Sequence, residues 1–373
     1  MILRRKKMKM HKIVTILVLL SFLLGACSSA APTAAPPVET QAPLVTEAPP
    51  PTNTPQPPTP TPEPPTPTPE PEVDEFAVVA AYISERFANW TPVITADKLF
   101  ENLTDGDDTN NPFIVDVRKP EDYAKGHIQG AVNVFWKEII KPEVLAALPK
   151  DRLIVTYCYT GHTGEAAATI LHLLGYNVTN LKYGMMGWTP NEEIVGQPGF
   201  KGGGGYQVET EPHELPEAVA TPPSFKTGQQ EAVQIILARA QELLPDWSPV
   251  VTADKLFENL ADGDDTNNPF IIDVRKPEDY ARGHVPGAVN VFWTGIAAQE
   301  VLAKLPADRQ IVTYCYTGHT GEAAAVALML LGYNVTNLKF AIMGWTDNEE
   351  VVGQPIFKGA ADYAVETEPH PFP

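Results

Sequence analysis

The chain has 373 residues, 43% of them hydrophobic, a formal charge of −19 at pH 7 and three cysteines. That length suits two domains of ordinary size. The acidic balance argues against a nucleic-acid partner and against docking on anionic lipid, and three thiols give no disulfide framework.

Residues 1–12 carry six basic residues and no acidic one, and Ile13–Leu24 is nearly all apolar. Twelve apolar residues fall short of the roughly 20 that span a bilayer, so residues 1–26 read as an export signal peptide. Leu24-Gly25-Ala26-Cys27 resembles a bacterial lipobox. That resemblance implies lipidation of Cys27 and anchoring in the bacterial cell envelope, facing outside the cytoplasm; plain cleavage beside an incidental cysteine is the alternative. Loss of residues 1–26 removes six positive charges and moves the formal charge from −19 to −25. Residues 27–73 are rich in Pro and Thr, with seventeen prolines between Ala31 and Pro71. Such a composition builds no core and predicts a disordered, extended stalk.

The rest is written twice. The segment from about Trp90 to His213 recurs from Trp247 to His370 at an offset of 157, and Ile154–Ala168 is identical to Ile311–Ala325. Two domains follow, 74–213 and 230–373, joined by a linker over 214–229. Each opens on a helical stretch, Glu75–Ala88 and its looser counterpart Gln229–Leu244. Thr95 and Thr252 are placed to cap the next helices, whose apolar faces hold Leu99, Phe100 and Leu103 in the first copy. Asp105–Pro112 is turn chemistry; its acidic spacing lacks the glutamate that closes a calcium loop. Phe113–Val117 predicts a short buried strand, Glu121–Ala124 a helical turn and Lys141–Leu148 a helix. Leu153–Tyr157 is the next buried strand, with Cys158 just past its end. A helix from Thr163 or Gly164 to Leu174 stops at Gly175, and Asn177–Leu181 is a further strand. Strands alternating with helices predict an α/β fold, a small parallel sheet with helices on both faces of each domain. Ligands of such sheets bind at the carboxyl ends of the strands, where Cys158 and Cys315 fall.

Phe113-Ile-Val-Asp-Val-Arg118 to Tyr123, Gly126-His127 to Ala131, Tyr157-Cys158 to Thr163 and Gly184 to Trp188 together resemble a rhodanese domain. Asp273-Val-Arg275, Gly283-His284 to Ala288, Cys315 to Thr320 and Trp345 repeat the resemblance. It implies two rhodanese-like domains in tandem and sulfurtransferase activity. A small sulfane-sulfur donor such as thiosulfate loads the cysteine as a persulfide, and a thiol or cyanide accepts the sulfur, with no cofactor. Cys158 and Cys315 are then the catalytic residues. Tyr159, Thr160, Gly161, His162 and Thr163, with Tyr316, Thr317, Gly318, His319 and Thr320, form the substrate-binding loops. Asp116, Arg118, Asp273 and Arg275 support the fold.

The physics of the loop agrees. A turn that closes into a helix N-terminus aims backbone N–H groups at its centre and lowers a thiol's pKa. Two departures bear on the donor. Many family members carry a cation directly after the cysteine or five positions on, where Tyr159 and Thr163 stand here, leaving His162 and His319 as the loop's candidate cations. Asp122 and Asp279 occupy a position where two-domain relatives often hold a substrate-binding arginine. A persulfide carrier, or a module that only docks a partner, is the alternative function. Cysteine-phosphatase chemistry needs a loop arginine that is missing, Gly164 standing six residues after Cys158. His162 and His319 either bond the donor or face solvent from the rim. His127 and His284 read as structural, Glu165 and Glu322 as complements of a helix dipole, and Trp188 and Trp345 as packing. Cys158-x-x-x-His162 makes a poor metal site, and no metal is expected. Pairing Cys158 with Cys315 requires the loops to dock face to face, an arrangement not expected of two modules in tandem.

Overall fold

The computed structural model describes residues 73–217 and 220–373. The expected signal peptide, Cys27 and nearly all of the stalk lie outside them. In the first repeat the elements run α1 (Glu75–Phe87), β1 (Val93–Ile94), α2 (Ala96–Thr104), β2 (Phe113–Asp116), α3 (Pro120–Tyr123), β3 (Val132–Asn133), α4 (Pro142–Ala147), β4 (Ile154–Tyr157), α5 (His162–Leu173), β5 (Val178–Leu181), α6 (Gly184–Trp188) and α7 (Glu192–Val195). The second runs α8 (Ala232–Leu243), β6 (Val250–Val251), α9 (Ala253–Leu260), β7 (Phe270–Asp273), α10 (Pro277–Tyr280), β8 (Val289–Asn290), α11 (Gln299–Leu302), β9 (Ile311–Tyr314), α12 (His319–Leu330), β10 (Val335–Leu338), α13 (Ala341–Trp345) and α14 (Glu349–Val352). No helix among the described residues is long and apolar enough to cross a membrane.

The two sheets share one topology, β1-β5-β4-β2-β3 and β6-β10-β9-β7-β8, and every strand pairing is parallel. β4 and β9 lie mid-sheet with every residue buried, as strands covered on both faces must be. The predicted signals act as read. Thr95 and Thr252 accept the N–H groups of Lys98 and Lys255 and cap α2 and α9. Gly175 takes φ +92° and donates to His172 O, while Tyr176 N donates to Leu171 O, which closes α5. α5 begins at His162, a residue or two before the expected start.

The repeats are not separate beads. Both belong to one compact unit, and a single core runs through Val79, Ile83, Ala167, Ile170, Ile236, Ala324 and Leu328. α5 packs on α12 and α1 on α8. After α7 the chain crosses to the second repeat: Tyr206 N donates to Trp345 O (3.0 Å), and Glu209 and His284 exchange backbone bonds of 3.0 and 2.9 Å. The C-terminal arm returns the exchange, with Tyr363 N on Trp188 O (2.9 Å) and Glu366 paired to His127. Trp188 Nε1 donates to Ala364 O and Trp345 Nε1 to Gln207 O, so both tryptophans pack as read and also fasten an arm.

Candidate active site

Each cysteine follows the last residue of a central strand and precedes a buried helix. Gly161 turns the chain with φ +97°, which a β-carbon disfavours, and its N–H lies 3.2 Å from Cys158 Sγ. Gly318 N is likewise 3.2 Å from Cys315 Sγ. Asn180 Nδ2 donates to Gly161 O at 3.0 Å and Asn337 Nδ2 to Gly318 O at 2.9 Å, so β5 and β10 brace the loops. Thr156 and Thr313 tie the strands to the helices through Gly164 O and Gly321 O.

Both thiols are free and only 2% exposed, because the two loops face each other. This reverses the expected separation of the loops. The His162 and His319 rings stack with centroids 6.1 Å apart. His162 Nε2 accepts the Phe340 N–H at 3.0 Å, and His319 Nε2 accepts the Tyr183 N–H at 3.0 Å. Each histidine is 3% exposed, so neither faces solvent from a rim. With Nε2 accepting, the proton sits on Nδ1 and is donated to Thr160 Oγ1 or Thr317 Oγ1, each at 3.0 Å. Burial, then the charge of Lys339, lowers the His162 pKa to about 3. Burial, then His162 and Lys182, holds His319 well below its ordinary value. Both imidazoles are neutral at pH 7 and supply no cation to the loops.

The remaining residues sort by contact. Tyr159 turns its hydroxyl away from the loop to donate to Asp122 Oδ2 (2.8 Å), as Tyr316 does to Asp279 (2.6 Å). Asp122 and Asp279 thus fix the tyrosine that follows each cysteine. Thr163 and Thr320 sit half-buried in the first helical turns. Arg118 is fully buried and clamps Asp116 through Nε (3.0 Å) and Nη2 (2.6 Å), and Arg275 does the same for Asp273. Burial opposes the Arg118 charge, but Asp116 more than offsets it and raises the pKa. The two pairs are buried ion pairs that tie the ends of β2 and β7 to the turns that follow. His127 and His284 bond the carbonyls of Tyr123 and Tyr280 and are structural. Glu165 and Glu322 depart from the dipole reading: both are fully buried, and burial pushes each carboxyl well above its ordinary value of 4.5. An uncharged acid adds little to a helix dipole. Asn180 lies beside the Glu165 carboxyl, and Asn337 Nδ2 donates to Glu322 Oε2 at 2.9 Å, while Glu322 Oε1 has no hydrogen-bond partner.

The crossing arms build two clusters no local motif announces, His127 with Glu366 and His370, and Glu209 with His213 and His284. Their ligand atoms lie within 4.8 Å of one another, and two imidazoles with a carboxylate suit a divalent ion. Here hydrogen bonds hold them: His370 Nε2 donates to Glu366 and His213 Nε2 to Glu209, both at 2.7 Å. A cavity of about 730 Å³ lined by Trp90, His172 and Lys98 lies at the amino ends of β4 and β5, away from both cysteines. Its Arg86 and His172 already bond each other, so the thiols mark the site, not this cavity.

The rhodanese-like domain family matches residues 95–191 and 252–348. A sulfurtransferase of Allochromatium vinosum is 31% identical over 96 residues, which cover 26% of this chain and 85% of that protein. The thiosulfate sulfurtransferase PspE of Escherichia coli is 40% identical over 63 residues, 17% of this chain and 60% of its own length. Among solved structures, a rhodanese-like domain protein of Staphylococcus aureus is 27% identical with a TM-score of 0.23, over 26% of this chain and 88% of that one.

Proposed function

The chain belongs to the rhodanese family, and from that premise we propose that it is a sulfurtransferase carrying sulfane sulfur as a persulfide on Cys158 and on Cys315. The observation that carries the reading is the loop N–H on each sulfur, Gly161 on Cys158 and Gly318 on Cys315. A strand-to-helix turn of this kind stabilises a thiolate and the persulfide anion that replaces it. With thiosulfate as donor, the thiolate attacks the outer sulfur. A Cys–S–S⁻ bond forms, the S–S bond of thiosulfate breaks, and sulfite leaves with its electron pair. Cyanide or a thiolate then attacks the terminal sulfur and releases thiocyanate or a new persulfide, and the cysteine thiolate returns. The two displacements balance without a cofactor. The lipobox-like Leu24-Gly25-Ala26-Cys27 supports lipidation of Cys27 and a catalytic unit held outside the cytoplasm on the bacterial envelope.

Burial of both thiols supports a second reading. A sulfur shielded under the opposite repeat is protected from water, which suits a carrier that loads stoichiometrically and unloads slowly. Thiosulfate cyanolysis by the full chain separates the two readings. Turnover that halves in Cys158→Ser and in Cys315→Ser and vanishes in the double variant establishes two independent sites. A folded wild type with no turnover removes the thiosulfate:cyanide activity and leaves the carrier.

A further inference from the structure

Residues 158–163 and 315–320 contain no lysine or arginine, and their histidines spend Nε2 as acceptors. A lysine of the other repeat acts electrostatically on each loop, Lys339 on His162 and Lys182 on His319. Lys182 and Lys339 follow β5 and β10 at the carboxyl ends of the strands. The next residues, Tyr183 (φ +66°) and Phe340 (φ +61°), hold the left-handed backbone that non-glycine residues avoid. It is these two whose N–H groups bond the opposite histidines. Lys182 Nζ lies 5.2 Å from the Tyr183 ring centroid and Lys339 Nζ 5.3 Å from that of Phe340. Those rings in turn stand edge-on to His319 and His162 at 5.7 and 5.4 Å. Continuous contacts therefore run from Lys182 to the Cys315 loop and from Lys339 to the Cys158 loop.

We propose that each sulfur anion is completed in trans, Lys339 serving as the cation for Cys158 and Lys182 as the cation for Cys315. This deepens the persulfide reading above and rests on it for its purpose. Burial lowers the pKa of both ammonium groups; negative charge at Cys315 counters that fall for Lys182, and at Cys158 for Lys339. In both cases the thiol concerned is the opposite repeat's. Glu165, held neutral, and Tyr183 also face Cys315. Backbone held in a sparsely populated region is the kind of strain proteins retain at functional sites. A repeat taken alone has the nucleophile and the loop but lacks its cation.

The test reads the thiols and not sulfur transfer. In the full chain, the pH dependence of iodoacetamide alkylation is followed at each cysteine by peptide mass spectrometry. Lys339→Met slows alkylation at Cys158 about tenfold at pH 7, because the thiolate is the nucleophile, and leaves Cys315 unchanged. Lys182→Met does the converse, and Lys→Arg at either position restores the wild-type rate. If shielding blocks the reagent, thiolate ultraviolet absorbance in Cys158→Ser and Cys315→Ser backgrounds gives the same pKa values without access. An effect on the cysteine of the same repeat, an equal effect on both, or no effect overturns the proposal. Crossed effects in a chain that moves no sulfur would leave this inference standing and remove the function; sulfur transfer without crossed effects would do the reverse.

Discussion

Glu165 and Glu322 sit where α5 meets α12, and the fold holds each of them uncharged. Burial raises both folded-state pKa values above the ordinary 4.5, so once pH exceeds 4.5 each acid must bind a proton on folding. Stability then falls as pH rises, by up to about 1.4 kcal/mol per pH unit for each acid, until the folded-state pKa is passed. His162 works in the opposite direction: its pKa is lowered from 6.5 to about 3, so its contribution is lost as pH falls through that window. Replacing both acids, Glu165→Gln with Glu322→Gln, removes the alkaline slope. Melting temperatures of the double variant should match the wild type near pH 4 and exceed it increasingly as pH rises towards the folded-state pKa values. A constant difference across that range would show that the acids are charged in the fold.

The helices α6 and α13, whose N–H groups bond the cysteine carbonyls, carry a sharp asymmetry between the repeats. Gly184 opens α6 with φ +53°, and a β-carbon there would overlap the Cys158 carbonyl oxygen. The equivalent residue of α13 is Ala341, also at φ +53°, and the bond it flanks is longer. Met185 N lies 2.8 Å from Cys158 O, but Ile342 N lies 3.3 Å from Cys315 O. Gly184→Ala should therefore destabilise the protein by about 1–2 kcal/mol and Ala341→Gly stabilise it by roughly 1 kcal/mol, measured by urea unfolding. Equal and opposite effects of the two changes on the wrong sides would contradict this backbone account. At the same scale, the strand-turn-helix units were legible because local signals decide them: Thr95 as cap, Gly175 as stop, Gly161 as turn. No local signal announces the docking of the loops, although α5 and α12 hold a clue. His162–Leu173 and His319–Leu330 present almost no exposed face, and a helix apolar all round is buried all round. A lone domain leaves one face of that helix in water.

At the scale of the molecule, arms and loops make the two repeats one unit. Tyr363 stacks on Phe100 at 3.9 Å and Tyr206 on Phe257 at 4.2 Å, each across the repeat boundary. Sequence periodicity could not show this, because the offset of 157 reports which residues correspond and not which repeat each arm covers. Lys182, Lys339, Tyr183 and Phe340 escaped the reading of the site for the same reason: they matter to the loop of the other copy. Asp116 and Arg118 were legible because they bond each other within one repeat, and the turn around each cysteine was legible because its glycine and the helix that follows are local in sequence. The central claim, that both cysteines carry sulfur, is tested most directly by treating the full chain with thiosulfate or polysulfide and weighing the Cys158 and Cys315 peptides. The account predicts one added sulfur atom on each peptide, removed by cyanide. A folded chain in which neither cysteine gains sulfur from any sulfane donor would contradict it.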